Sequence, residues 1–141
     1  MTTITHVQSD RRQWFGLGLV AAVASILAVL VVQALALAIW PEIALFKPLD
    51  SYTRSAVFTL VPVAGATALF AWLASRQARP GPVFLKIAVV VLLASVIPDY
   101  VIPDPNKTLL ASTVTAFLHV VAAAVSSFVL VTGSRKQSNQ R

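Results

Sequence analysis

The sequence has no cysteine, which removes disulfides, thiolate metal ligands and thiol redox chemistry together. A quinone-linked disulfide-forming membrane enzyme is excluded on that ground alone. Charge is scarce too: only 11% of the 141 residues are charged, and five are acidic, against about 25% charged residues in soluble domains. So few charges cannot coat a water-soluble surface of this size, and with 57% apolar residues lipid must be the solvent for most of the chain. There is also no phosphate-cradling glycine loop, no pair of carboxylates inside an apolar stretch, and no serine beside a base. Enzyme is therefore the disfavoured class. The net charge of +6 comes from short clusters rather than a basic stripe with interleaved aromatics, so nucleic acid is a poor partner. Anionic lipid headgroups suit Arg11, Arg12, Arg76, Arg79, Arg135 and Lys136 better.

What the sequence does have is four long apolar stretches. They predict an all-α membrane protein, an up-down bundle of four transmembrane helices over about 14–40, 53–75, 83–102 and 108–132, flanked by tails at 1–13 and 133–141. The Arg11-Arg12 pair ahead of an apolar run invites an export-signal reading, but that run is far longer than the roughly 7–15 apolar residues of a signal peptide. An uncleaved first helix is the better reading. It carries small residues at Gly16, Gly18, Ala21, Ala22, Ser25 and Ala28, a pattern that lets membrane helices approach closely. Trp14 and Trp40 mark its interfacial ends, Gln33 is its one strongly polar interior residue, and Pro41 stops it. The apolar run at 43–46 is expected to lie along the interface. Asp50 or Ser51 is expected to cap the second helix, and Pro62 to kink it.

The third apolar segment, 83–97, spans only roughly 22 Å at 1.5 Å per residue, short of a hydrocarbon core of about 30 Å. A small tandem repeat follows: Val96-Ile97-Pro98-Asp99, then Val101-Ile102-Pro103-Asp104. Two prolines so close together argue against a continuous helix. The expectation is an extended or kinked elbow at the outer interface, with Asp99 and Asp104 facing water and Asp104 capping the last helix. Gly133 is expected to terminate that helix.

Charge sets the expected topology. One side collects Arg11, Arg12, Arg76, Arg79, Lys86, Arg135, Lys136 and Arg141 with Asp10 as its one acid. The other holds Lys47, Arg54 and Lys107 against Glu42, Asp50, Asp99 and Asp104. The positive-inside rule places both termini and the Arg76 turn in the cytoplasm.

The last span bears the most regular polar pattern. Thr108, Ser112, Thr115, His119 and Ser126 follow at spacings of 4, 3, 4 and 7, one stripe of a helix. His119 stands about 16 Å in from the outer boundary at 1.5 Å per residue, the one titratable group that this reading places deep in a span. With Gln33, Thr59, Ser112 and Thr115 in the outer half, an outward-facing polar pocket above His119 becomes a candidate site for a small ligand, a lipid headgroup or a proton. The plainer reading is interhelical hydrogen bonding, which polar residues in helical bundles commonly provide. One histidine without further ligands is poor support for metal or haem, and Asp99 with Asp104 is weak support for a divalent cation. No cofactor is expected.

The residues Ser95-x-x-Pro98-Asp99, followed by Ser112-Thr113-x-Thr115-Ala116-x-Leu118-His119-x-Val121-Ala122-Ala123, resemble the second half of a family of small four-span bacterial membrane proteins of unknown function. The resemblance implies a bacterial inner-membrane protein with no assigned activity. A small multidrug-exporter reading fails, because the first span lacks the acidic residue those proteins carry there. The expected function is thus a non-enzymatic interaction or accessory membrane subunit that packs against a second copy or another membrane protein. The alternative is small-ligand, lipid or proton binding or transport through the pocket above His119.

Overall fold

A computed structural model describes residues 3–138, with side chains described from Arg12 to Lys136. The side chains of Asp10 and Arg11, and the whole of Arg141, lie outside the described residues. Four helices follow in order: α1 (Thr3–Ile39), α2 (Tyr52–Arg76), α3 (Pro80–Val101) and α4 (Leu109–Ser138). Two short 3-10 turns, Pro41–Leu45 and Lys47–Leu49, join α1 to α2. No strand occurs among the described residues. Stretches of all four helices are long and apolar enough to cross a membrane: Arg12–Ile39, Tyr52–Arg76, Pro80–Val101 and Leu109–Lys136. Lengths agree with that reading, since even α3, at 22 residues, reaches about 33 Å.

The flanks expected to be tails are helical from Thr3 and up to Ser138. Gly133 does not end α4. Its φ is not positive, and the helix runs five residues past it. A glycine ends a helix only by adopting the left-handed conformation; here it stays helical because α1 crowds against it.

Two core clusters show how the helices alternate. At one end, Ala21 and Ala22 of α1 meet Val63, Phe70 and Leu73 of α2, Phe84 of α3 and Leu130 of α4. At the other end, Val29 and Ala36 meet Ala111, Val114 and Leu118 of α4. The first cluster therefore joins the middle of α1, the late turns of α2, the start of α3 and the end of α4, as an up-down bundle requires. Phe70 and Phe84 meet edge to face at 4.9 Å between ring centroids, a geometry contributing about 0.5–1.5 kcal/mol beyond burial. Leu19, Leu27, Val57, Val61, Val90, Leu93, Phe117 and Phe128 remain exposed, the surface that a bilayer would cover.

The connection after α1 departs from the expected interfacial ribbon. Ile43, Phe46 and Leu49 recur every third residue, the period of a 3-10 helix, and all are buried within the α1–α4 cluster. They form a plug over that end of the bundle. Gln33, fully buried, donates from Nε2 to the Leu49 carbonyl at 3.1 Å and ties the plug to α1. Ser51 is the N-cap of α2, its Oγ accepting from the Arg54 N–H at 3.4 Å. Arg54 in turn pairs with Asp50 and the Lys47 carbonyl, an exposed arrangement worth at most about 1 kcal/mol.

Small residues at the α1 contacts divide into two kinds. A Cβ on Gly18 would stand 2.6 Å from Thr67 Cγ2, and Thr67 is stiff at χ1 and bonded through Oγ1 to the Val63 carbonyl at 2.9 Å. At Gly133 a Cβ would meet the tip of Leu17, whereas nothing surrounds Gly16 or Gly65. Gly18→Ala should therefore destabilise the bundle by about 1–3 kcal/mol, as overpacking does. Gly133→Ala should fall well below that, because a leucine tip can turn aside. Gly16→Ala should be neutral or stabilising by up to about 1 kcal/mol through helix propensity. Thermal unfolding of the three variants in mild detergent tests the order, and equal losses at residues 16 and 18 would refute it.

Candidate functional site at the α3–α4 seam

The tandem Val-Ile-Pro-Asp repeat shapes the end of α3, though not as an elbow. The helix continues through Pro98 to Val101, and the Ile102 N–H still bonds to the Pro98 carbonyl at 3.0 Å. Pro98 fits because its fixed φ is helical. Its cost is the one bond that the Ala94 carbonyl would have received. The second proline matters more. Pro103 disfavours helical backbone at Ile102, which is extended, so α3 stops at Val101 and the Asp99 carbonyl has no donor in its own helix. Ser112 of α4 takes that place, donating from Oγ at 2.7 Å.

Other groups close the same helix end. Lys107 Nζ donates to the Tyr100 carbonyl at 3.0 Å and the Ile102 carbonyl at 3.2 Å, placing a cation at a helix C-terminus where the dipole favours it. The Tyr100 hydroxyl reaches Thr113 Oγ1 at 3.2 Å, and Thr113 donates on to the Leu109 carbonyl. Asp104 does not cap α4. Its Oδ1 accepts from the Asn106 N–H at 2.8 Å in the connecting turn. Thr108 is the capping side chain instead, accepting from the Ala111 N–H at 3.0 Å.

Asp99 is the main correction to the sequence reading. It does not face water; it is buried, and His119 Nε2 lies 3.3 Å from its Oδ2. In a helix each Cα–Cβ bond leans toward that helix's own N-terminus. In the antiparallel pair α3 and α4, Asp99 therefore leans down the bundle while His119 leans up, and the two meet. The alignment falls short of a hydrogen bond, and Asp99 Oδ2 has none. Asp99 keeps 9% of its side-chain surface and His119 34%, so the pair has a closed side and an open one. No third His, Asp or Glu gathers with them among the described residues.

The remaining residues expected near the pocket have hydrogen bonds of their own. Thr59 donates to the Ser55 carbonyl at 2.7 Å and Thr115 to the Ala111 carbonyl at 3.0 Å, each within its own helix. Gln33 Nε2 is committed to the loop plug, leaving its Oε1 buried and unpartnered. Of the five, Ser112 and His119 thus meet at Asp99, one through its carbonyl and the other through its carboxylate. The residue that sequence reasoning missed is Asp99. Two signals pointed to it: a third span too short unless the helix passed through Pro98, and a proline four residues beyond Asp99 that frees its carbonyl.

The fold and the seam define a class: a multi-pass α-helical membrane bundle with an acid–imidazole pair inside the apolar region. Over residues 8–136 the chain matches the family of unknown function DUF6069, and it belongs to that family. Neither a curated protein nor a solved structure matches it.

Two outcomes test the seam. Ser112→Ala should destabilise the protein by roughly 1 kcal/mol, in the range of interhelical hydrogen bonds in membranes. Separately, a double-mutant cycle of Asp99→Ala and His119→Ala should give a coupling of about 1 kcal/mol. Strict additivity would mean that the two side chains are neighbours without interacting.

Proposed function

We propose that the protein is a non-enzymatic accessory subunit of the bacterial inner membrane that works by packing the α3–α4 seam against another membrane helix. The observation that carries this reading is the contrast between closed and open polar groups. Ser112, Thr115, Thr59 and the Gln33 amide donate to carbonyls inside the bundle, while His119 keeps a third of its side-chain surface on a helix long and apolar enough to cross a membrane. A polar group at such depth is costly in lipid, and a partner helix with a hydrogen-bonding side chain would cover it. The partner is a second copy or an unrelated membrane protein. The skewed basic charge supports a topology with both termini and the Arg76 turn in the cytoplasm.

A second reading has its own support. Asp99 Oδ2 is buried without a hydrogen bond beside an imidazole, an arrangement suited to taking up a proton or a small cationic ligand.

Photoreactive residues placed at Ala116 and Ala123, about one turn either side of His119, separate the two. Packing predicts that both positions crosslink to one defined protein in native membranes, and that His119→Ala weakens the crosslink severalfold while the variant still folds. Adducts with lipid alone at both positions would overturn it. The second reading predicts instead a bound mass in native mass spectrometry that His119→Ala removes.

A further inference from the structure

The bundle also has a hollow at the end away from His119. A cavity of about 680 Å³ opens where the α2–α3 turn meets α1 at Gln13 and Trp14 and the last turns of α4. Trp14, Phe70 and Val131 form its apolar wall, while Arg79 and Arg135 supply its charge. Among the described residues no carboxylate lines it. Neither arginine has an ion-pair partner among the described residues.

The two arginines are not equally easy to explain. Arg135 lies in the last turn of α4, where a cation complements the helix dipole. Arg79, exposed, is the N-cap of α3, the positive end, where a cation is mildly unfavourable and a bound anion would offset it. Among the described residues that helix start has no anion beside it. Arg79 makes no side-chain capping bond, and no acidic residue occupies the first turn. Pro80 and Pro82 have no N–H, whereas Gly81, which also lines the cavity, offers one that no carbonyl within the helix can reach. A helix N-terminus with a free N–H and a nearby guanidinium suits a phosphate oxygen.

We infer that this cavity is a binding site for the phosphodiester headgroup of an anionic phospholipid, held between Arg79 and Arg135. The apolar wall favours lipid over a free phosphate ester, since the half-buried Trp14 and Val131 give a glycerol ester a surface that a fully hydrated anion does not need. Arg76 is a control supplied by the fold. It lies three residues from Arg79 but has its guanidinium 5.8 Å from the centroid of the Trp72 ring, and it does not line the cavity. The site is independent of the α3–α4 seam and of any partner there.

The test is native mass spectrometry of the detergent-solubilised full chain with phosphatidylglycerol, phosphatidylcholine or soluble glycerol 3-phosphate. Wild type should retain one phosphatidylglycerol and no phosphatidylcholine. The double variant Arg79→Gln, Arg135→Gln should lose retention at least tenfold, with Arg76→Gln close to wild type and all three melting cooperatively. The single variants Arg79→Gln and Arg135→Gln replace the double one if it does not fold, each expected to weaken retention severalfold. Equal losses in Arg76→Gln would overturn the site in favour of diffuse attraction to a basic surface. Retention unaffected by the cavity arginines would also overturn it. Glycerol 3-phosphate binding as tightly as the lipid would overturn the lipid assignment and leave a soluble phosphate ester as the ligand.

Discussion

A carbonyl oxygen inside a membrane must find a donor, because lipid offers none. At Asp99 that rule decides how half of the molecule is assembled. Pro103 brings the helix to a stop at Val101, and Ser112 supplies the donor from the next span. Once that bond is made, Tyr100 reaches Thr113, Lys107 reaches back to the end of α3, and Asp99 and His119 come within 3.3 Å. The prolines therefore do more than punctuate. They export a backbone valence from one helix to its neighbour.

Both ends of the bundle have an apolar cluster, and one adds polar contacts between helices. Near Phe70 and Phe84 the contacts are apolar and aromatic, and in lipid they act through close packing, since the hydrophobic effect does not distinguish a leucine from an acyl chain. At the Asp99 end polar contacts join the apolar cluster around Val29, Ala36, Phe46 and Leu118. Helix α3 shows the division most clearly, because Phe84 and Asp99 are its only buried residues, one close to each end. The turns between rest on the bundle with much of their surface open to the bilayer. By contrast α1 is packed against both α2 and α4, and Gly18 marks where it comes so near that a methyl group would intrude on Thr67.

Much of this was legible in the sequence, and the failures have physical causes. The four apolar stretches, their alternation and the cap at Ser51 follow from composition, charge and local hydrogen-bonding habit. Pro98 was misleading because proline is scored as a helix breaker by rules learned in water, where a lost backbone bond is readily replaced by solvent and the chain is free to turn. In a span that must reach across roughly 30 Å, ending the helix early exposes more carbonyls than continuing through one proline. Gly133 failed for a related reason: absence of a side chain served close approach to Leu17 rather than a left-handed turn. The stripe on α4 was visible as a stripe, but its partner lay on another helix, and spacing within one helix says nothing about what faces it. Ile43, Phe46 and Leu49 were hidden by their period of three, which neither a helical nor a strand pattern brings out.

The seam also imposes an order on the making of the protein. Synthesis runs from the N-terminus, so Asp99 emerges before Ser112 and His119 exist. Helix α3 on its own would carry into the membrane a carboxylate with no imidazole and a carbonyl with no donor. It is a complete object only once α4 has followed it. The two helices are thus a single unit of insertion, and α1, which packs on α4 as well as on α2, completes its contacts only when α4 arrives.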